Sequence, residues 1–272
     1  MLQVARLAPN LLQEAAESVA AFAAAQFSPE EGARDRAGKP DLYYTVFALE
    51  CLIALRKEAP VDRLRPWLES FGDGEGLDVV HLSCLARCWA ALPKGLLKED
   101  VAHRIAGRII GFAMAEGGIR NVYHGFLALG ALQDLGIPIP DPEAVVKAIA
   151  NLQSPDGSFG QTTPTTAGAI TALRNLGAAV PPGATDWLLE RAHPKGGFTA
   201  TPGAPIPDLL STATALHALT GQKVPLAPIK EACLDFVDTL WTGQGFCGSW
   251  ADDVVDVEYT YYALLALGHL SL

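Results

Sequence analysis

Three carboxylates in one short segment are the side chains best suited to chemistry. Asp252, Asp253 and Asp256 belong to the sequence DDVVD. Carboxylates at this spacing can bind a divalent cation through their oxygen atoms, or they can raise one another's proton affinity until one of them serves as an acid. We therefore treat them as candidate catalytic residues. The alternative interpretation is a solvated loop that ends in Asp256 as a helix cap.

A second group of candidates consists of aromatic and polar residues early in apolar, helix-like segments. If these segments converge, their first turns would line a shared cavity, and an apolar pocket with a few polar groups is typical of ligand sites. Aromatic faces would also stabilise a carbocation. The alternative is ordinary core packing, with the histidines bonded within the wall. The candidate cavity residues are Tyr43, Tyr44, Phe47, His81, Tyr123, His124, Phe126, Thr165, Asp208, Tyr259 and Tyr262.

Other catalytic and metal-binding patterns are weak or missing. Cys84 and Cys88 would share a helix face, but zinc needs further ligands and His81 is the only obvious neighbour. We predict no metal site there and interpret both thiols as small core residues. The five cysteines form an odd set, which favours reduced thiols in a cytoplasmic protein. The chain also lacks a G-x-S-x-G turn and a phosphate-binding glycine loop.

A pattern that recurs along the chain must position these residues. A polar residue, a few bulky residues and an Ala/Leu-rich stretch follow one another repeatedly, with starts 37 to 48 residues apart. This spacing is typical of paired-helix repeats, and a short polar residue at each start suits a helix N-cap. The starts are Asp41, Asp78, Asn121, Thr163, Asp208 and Asp256.

A second set of segments alternates with the first and is apolar on one face only. The recurring segments are instead apolar on nearly all sides and must be buried on all sides. An all-α fold meets both conditions, as an α/α toroid with an inner ring of six helices inside an outer ring of six. An open solenoid is the alternative, and no segment alternates convincingly as a strand. The one-sided segments are 10–26, 60–70, 98–113, 142–153, 183–192 and 227–241.

The predicted toroid is a single domain that spans residues 1–272. The net charge of −10 argues against nucleic acid as a partner. No apolar run reaches the roughly 18 residues of a membrane span, and acidic residues interrupt the first apolar run, so we expect no signal peptide. The expected inner helices are 41–57, 78–93, 121–136, 163–178, 208–220 and 256–270.

Glycine-rich aromatic turns precede several of the inner helices and carry a family resemblance. Gln244, Gly248 and Trp250 fit the Q-x-x-x-G-x-W repeat of the squalene cyclases, and QSPDGSFG at 153–160 fits its aromatic variant. The sequence GGF followed by D-x-x-x-T resembles the β-subunits of protein prenyltransferases. Over residues 40–272 the chain thus resembles the terpenoid cyclase and protein prenyltransferase superfamily, which implies an α/α toroid.

The resemblance also implies functional positions, which can be compared with the sequence. Protein prenyltransferases hold zinc at positions that correspond here to Asp208, Leu210 and Tyr259, so two of the expected ligands are missing. Their basic clamp for a lipid diphosphate corresponds to Thr162, Pro202 and Pro205. We therefore expect no zinc and no ordinary protein prenyltransferase activity. The acidic D-x-D-D motif of class II cyclases is absent as well.

Three hypotheses on function remain open at this point. The first is a prenyltransferase- or cyclase-like protein whose cavity binds an isoprenoid or a similar elongated apolar molecule. The second is a single-domain terpenoid cyclase that uses the DDVVD carboxylates as an acid or as ligands of magnesium diphosphate, as a similar motif does in class I terpene synthases. The third is a non-catalytic scaffold that acts through a helical protein partner.

Overall fold

Six buried helices form the inner ring. In the computed structural model, which describes residues 1–115, 118–119 and 121–272, each inner helix packs against the next one along the chain, and the last packs against the first. The ring is therefore closed, as predicted, and is not an open solenoid. The inner helices are α4 (Leu42–Ala54), α6 (Val79–Ala91), α8 (Val122–Leu135), α10 (Thr163–Asn175), α12 (Leu209–Gly221) and α14 (Val257–Leu270).

An outer layer of helices packs against the inner ring. Its helices bury one stripe only, as for α7, where Ile105, Ala106 and Ile109 face inward. The outer helices are α3 (Ala15–Ala25), α5 (Val61–Ser70), α7 (Glu99–Ala113), α9 (Pro142–Asn151), α11 (Ala184–Leu189) and α13 (Lys230–Asp238). Among the helices described, none combines the length and apolar character needed to span a membrane.

The elements outside the two rings are short. The first predicted outer segment is split, because α2 (Pro9–Leu12) precedes α3, and α1 (Leu2–Ala5) packs against α14 and α4. Where no strand was expected, β1 (Met114–Ala115) pairs with β2 (Gly118–Ile119) in an antiparallel arrangement. Two-residue strands are too short to show the alternation of side chains that identifies a strand in a sequence.

Every inner helix begins with a side-chain cap. The cap oxygen accepts a hydrogen bond from the backbone N–H three residues later, which satisfies one of the free donors of the first turn. The observed caps are Asp41, Asp78, Asn121, Thr162, Asp208 and Asp256. The predicted cap Thr163 is thus wrong by one residue. Thr163 is the first helical residue instead, and its hydroxyl donates to the carbonyl of Thr199 at 2.6 Å.

A threonine four residues after the cap ties four of the inner helices to the preceding turn. Its hydroxyl oxygen accepts a hydrogen bond from a buried turn amide, with N···O distances of 2.8 to 3.1 Å. The threonines are Thr45, Thr166, Thr212 and Thr260, and their amide donors belong to Ala33, Phe159, Phe198 and Phe246. The threonine of the D-x-x-x-T pattern, which occurs as T-x-x-x-T at Thr162, therefore has a structural role: it binds each turn to the helix that follows it.

Candidate functional site

The inner helices run in the same direction, so the ring has two different faces. At the amino face, where the inner helices begin, Tyr43 of α4 meets Glu258 of α14, and each is the second residue of its helix. At the carboxyl face, where they end, Arg87 of α6 meets Glu50 of α4.

Two of the three candidate catalytic carboxylates are paired with an arginine. Nε of Arg36 lies 2.7 Å from Oδ2 of Asp256, and Nη2 lies 2.8 Å from Oδ2 of Asp252. Burial by itself would raise the pKa of Asp252, but the hydrogen bonds from Arg36 and the backbone outweigh it, so the pKa is lowered. Asp253 is exposed. Because Asp252 and Asp256 share the Arg36 guanidinium, this geometry favours a structural role for those two residues.

The structure brings several of the predicted aromatic residues together around a carboxyl group. The rings of Tyr43 and Phe47 lie 4.9 Å apart, and those of Phe47 and Tyr262 lie 5.5 Å apart. The Tyr43 hydroxyl donates to Oε1 of Glu258 at 2.7 Å. Burial is the main cause that raises the pKa of Glu258, against the hydrogen bond from Tyr43. Glu258 is not among the site residues predicted from the sequence, although it stands between the helix cap Asp256 and the predicted residue Tyr259.

Tyr259 lies beside Arg36, and Asp208 lies near Tyr259. Oδ1 of Asp208 accepts from the backbone N–H of Ser211 and Oδ2 from its hydroxyl, both at 2.7 Å, while burial raises the pKa of the Asp208 carboxyl. A Cβ atom on Gly248 would lie 2.6 Å from the Tyr259 ring, so the ring packs directly on this turn. Burial raises the pKa of Tyr259 to about 12, and the Arg36 guanidinium lies 5.5 Å from its ring centroid.

His81 is held by two cap residues. Its Nδ1 lies 2.9 Å from Oδ1 of Asp78, and its Nε2 lies 3.4 Å from Oδ2 of Asp41. Burial would lower the pKa of His81, but the hydrogen bond and the charge of Asp78 outweigh it, so the pKa is raised. These contacts join the starts of α4 and α6, so His81 is part of the wall of the ring at the amino face.

The remaining predicted residues at the amino face are spread around its rim. The ring of Tyr44 lies 5.8 Å from that of Tyr43. Tyr123 is 42% exposed, and its ring lies 5.9 Å from that of His124. The hydroxyl of Thr165 accepts from the cap Thr162 at 2.8 Å. None of these residues lines the central cavity.

The central cavity lies nearer to the carboxyl face and has a volume of about 700 Å³. Of the predicted cavity residues only Phe126 lines it. One part of its wall is apolar and consists of Val46, Leu49, Ile53, Ala90, Ala91, Phe126 and Leu127. The other part is polar and carries charged groups. Helix α1 and the residues beside it, Met1 to Gln3 and Arg6, contact the cavity from the carboxyl face.

One charged group of the cavity is a triad on three adjacent inner helices. Arg87 on α6 forms an ion pair with Glu50 on α4, and its Nε lies 3.3 Å from Oδ2 of Asp134 on α8. The Glu50 side chain is only 11% exposed and that of Arg87 23%. Burial raises the pKa of Glu50, and the charge of Arg87 opposes this shift. The triad therefore has one carboxylate more than its single guanidinium can neutralise.

A second polar group lies on α10, α12 and α14. Nη2 of Arg174 lies 3.2 Å from Nε2 of His217, and Nδ1 of His217 lies 3.0 Å from Nε2 of His269. Since an arginine nitrogen only donates, Nε2 of His217 accepts, and its Nδ1 carries the proton that it donates to His269. Burial lowers the pKa of His217 to about 2 and that of His269 to about 4, so both rings are neutral at pH 7.

The family of the chain follows from a comparison with known domains. A model of the prenyltransferase alpha-alpha toroid domain matches residues 81–169 and 166–271. The chain belongs to the prenyltransferase α/α-toroid family. This confirms the superfamily that the glycine-rich aromatic turns indicated. No curated protein sequence matches the chain.

Solved structures of the type II terpene cyclase MstE from Scytonema are similar to this prenyltransferase-type toroid. The ligand-free enzyme has a TM-score of 0.64 at 14% identity, over 96% of this chain and 97% of that one. A variant bound to its substrate, geranylgeranyl dihydroxybenzoate, has a TM-score of 0.64 at 13% identity. A variant bound to its product, merosterolic acid A, has 0.65 at 14%. Both variants cover 97% of each chain. At such identities the similarity is evidence of the fold alone.

The toroid's residues do not fit the zinc site of protein prenyltransferases. Of the corresponding positions, only Asp208 offers a suitable ligand atom, because Leu210 is apolar and the ring of Tyr259 packs on a turn. Within the described ranges no three His, Cys, Asp or Glu side chains lie close enough to hold a metal ion. Cys84 and Cys88 are both buried, and Sγ of Cys88 contacts the carbonyl of Leu42. We derive no catalytic step through zinc.

Proposed function

We propose that this toroid binds an isoprenoid or a similarly elongated apolar molecule in its central cavity. The observation that carries the proposal is the partly open cavity of about 700 Å³ that is lined by α1 and by the inner helices α4, α6, α8, α10 and α12. Ligand sites commonly have volumes of about 300 to 1,000 Å³ and apolar walls with a few polar groups. The apolar wall formed by α4, α6 and α8 would bury the hydrocarbon chain, and each buried methylene contributes about 0.8 kcal/mol.

A pair of glycine variants tests this location. Gly130 lines the cavity, and a Cβ atom there has open space within 4 Å. Gly107 has equally open space but is exposed on the outer helix α7. We expect Gly130→Leu to fill part of the cavity and weaken farnesol binding at least tenfold, as measured by isothermal titration calorimetry. Gly107→Leu is the matched control and should bind farnesol as the wild type does.

Native mass spectrometry followed by organic extraction provides an independent test. A prenyl chain or polyene that copurifies with the protein would support the proposal. A protein that is empty and also ignores farnesol and geranylgeranyl diphosphate would contradict it. That result would favour the scaffold that acts through a helical protein partner.

A second candidate function is a terpenoid cyclase started by protonation, and Glu258 is the observation that favours it. Its carboxyl group is half-buried, has a raised pKa, accepts a hydrogen bond from the Tyr43 hydroxyl and lies close enough to Tyr262 to raise the pKa of that phenol. A carboxylic acid that keeps its proton can transfer it to an alkene carbon, which leaves a tertiary carbocation on the neighbouring carbon. The next double bond of the chain closes the ring, and loss of a proton to water ends the reaction. The tyrosine faces would stabilise the cation.

Two conservative variants separate the possible acids. Glu258→Gln removes the proton donor beside Tyr43. Asp253→Asn removes the exposed carboxylate of DDVVD and leaves intact the ion pairs that the other two carboxylates form with Arg36. If turnover of geranylgeranyl diphosphate or a polyene is lost only in Glu258→Gln, Glu258 is the acid. Loss only in Asp253→Asn assigns the chemistry to Asp252, Asp253 and Asp256, with magnesium as a cofactor if they bind a diphosphate. Activity that persists in both variants removes both sites from the mechanism.

A further inference from the structure

The strongest unexplained feature of the cavity is an arginine without a carboxylate partner. Arg174 on α10 lines the cavity, and the bond to Nε2 of His217 is its only side-chain hydrogen bond to the described residues. It forms no ion pair with any carboxylate in the described part of the chain. By contrast, Arg87 in the same cavity is shared by Glu50 and Asp134. A half-buried cation that faces a partly open cavity gains from pairing with an anion that enters it.

The surroundings of Arg174 hold its guanidinium in place. A Cβ atom on Gly221, the last residue of α12, would lie 1.6 Å from Nη1 of Arg174. The guanidinium therefore occupies space that only a glycine leaves open. His217 is 5% exposed, and as a neutral acceptor it fixes one edge of the guanidinium without adding or removing charge. The remaining N–H donors stay available to a ligand.

The balance of charged groups that line the cavity also favours the binding of an anion. Among the described residues, three guanidinium groups line it, those of Arg6, Arg87 and Arg174, and two carboxylates, those of Glu50 and Asp134. In addition, Nε of Arg6 is buried and has no hydrogen-bond acceptor among the described residues. A chain with a net charge of −10 thus lines its central cavity with an excess of positive charge.

We propose that the molecule bound in the cavity carries an anionic headgroup, a carboxylate or a phosphate, and that Arg174 binds this headgroup. The inference rests on the proposed function, because the apolar wall of α4, α6 and α8 takes the hydrocarbon chain of the same molecule. The planar guanidinium can pair with two oxygens of one anion. The ligand would then lie with its charged end at α10 and α12 and its chain towards Phe126 and Val46.

The test compares ligands that share one chain and differ in the headgroup. We expect farnesoic acid or farnesyl monophosphate to bind the wild type at least tenfold more tightly than farnesol, by isothermal titration calorimetry. The better of the two anions identifies the headgroup. Arg174→Gln should abolish this preference and leave the affinity for farnesol unchanged, since a charge-assisted hydrogen bond is lost and the apolar wall is not. Arg108→Gln removes an arginine of the outer helix α7 that does not line the cavity. It is the matched control and should keep the preference for the anion.

A second variant keeps the proposal testable if Arg174→Gln folds poorly. Gly221→Ala displaces the guanidinium without removing its charge and should also reduce the preference for the anion. Two negative results are distinguishable. If none of the three ligands binds the wild type, the proposed function and this inference both fail. If all three bind equally and Arg174→Gln changes nothing, only the anionic headgroup is refuted.

Discussion

Replacing Arg87 by methionine would leave the Glu50 carboxylate buried without its cation. Breaking a buried ion pair on one side typically costs about 3 to 5 kcal/mol. Arg87 lines the cavity and its side chain is 23% exposed, so water can reach part of the vacated space. The Asp134 side chain is 44% exposed, so the loss of its ion pair with Arg87 adds at most about 1 kcal/mol. We therefore expect Arg87→Met to lower the free energy of unfolding by about 3 kcal/mol at pH 7.

The loss should depend on pH in a defined direction. Burial raises the pKa of Glu50 above its ordinary 4.5, and removal of Arg87 raises it further. Between the unfolded and the folded pKa, the native carboxyl holds a proton that the unfolded chain has released, so stability falls as pH rises through that window. The deficit of Arg87→Met should thus be largest at pH 8 and smaller at pH 5.

Urea denaturation of the wild type and three variants at pH 5, 6, 7 and 8 measures both effects. Glu50→Gln in combination with Arg87→Met should recover most of the loss, because no unpaired charge stays buried. Arg65→Met is the control, since Arg65 and Glu69 are each 51% exposed and their pair contributes at most about 1 kcal/mol. A loss below about 1 kcal/mol in Arg87→Met, or one that is equal at all pH values, would refute the reasoning.

Two further predictions concern the joints of the ring. Thr260→Val leaves the buried amide of Phe246 without its acceptor and should lower the free energy of unfolding by about 1 to 3 kcal/mol in urea denaturation. Thr220→Val is the control and should leave the free energy of unfolding unchanged, because the buried Thr220 hydroxyl has no hydrogen-bond partner among the described residues. Gly268→Ala places a Cβ atom 2.1 Å from a carbonyl oxygen of α1 and should expose α1 to limited proteolysis. Gly130→Ala, with open space around it, should not. Equal results within either pair would contradict the assigned contact.

The closed ring could be predicted because its causes are local and repeated. Helices that are apolar on all sides must be enclosed, and a polar residue at each start marks the first turn. The one-residue error at Thr163 arises from the sequence TTPTT, in which neighbouring threonines are chemically equal as caps. Only the position of the following turn, which binds the Thr163 hydroxyl, distinguishes them.

The charged cavity could not be placed in the same way. The site residues predicted from the sequence lie near the starts of the inner helices, whereas Glu50, Arg87 and Arg174 lie in the later turns. A visible signal existed, because each of these residues is the only Asp, Glu, Lys or Arg in its helix. Which charges are paired depends on the order of the helices around the ring and on Gly221, and neither can be derived from periodicity.

The repeated threonine joint has a consequence for how the ring opens. The amides of Ala33, Phe159, Phe198 and Phe246 are bonded to side chains of the next inner helix, and all four residues are at most 2% exposed. Each amide hydrogen can exchange with solvent only when its turn separates from that helix. These amides are therefore built-in reporters at four points around the ring. If they exchange at one common rate, the toroid opens as a single cooperative unit, whereas separate rates would mark the seam at which it opens first.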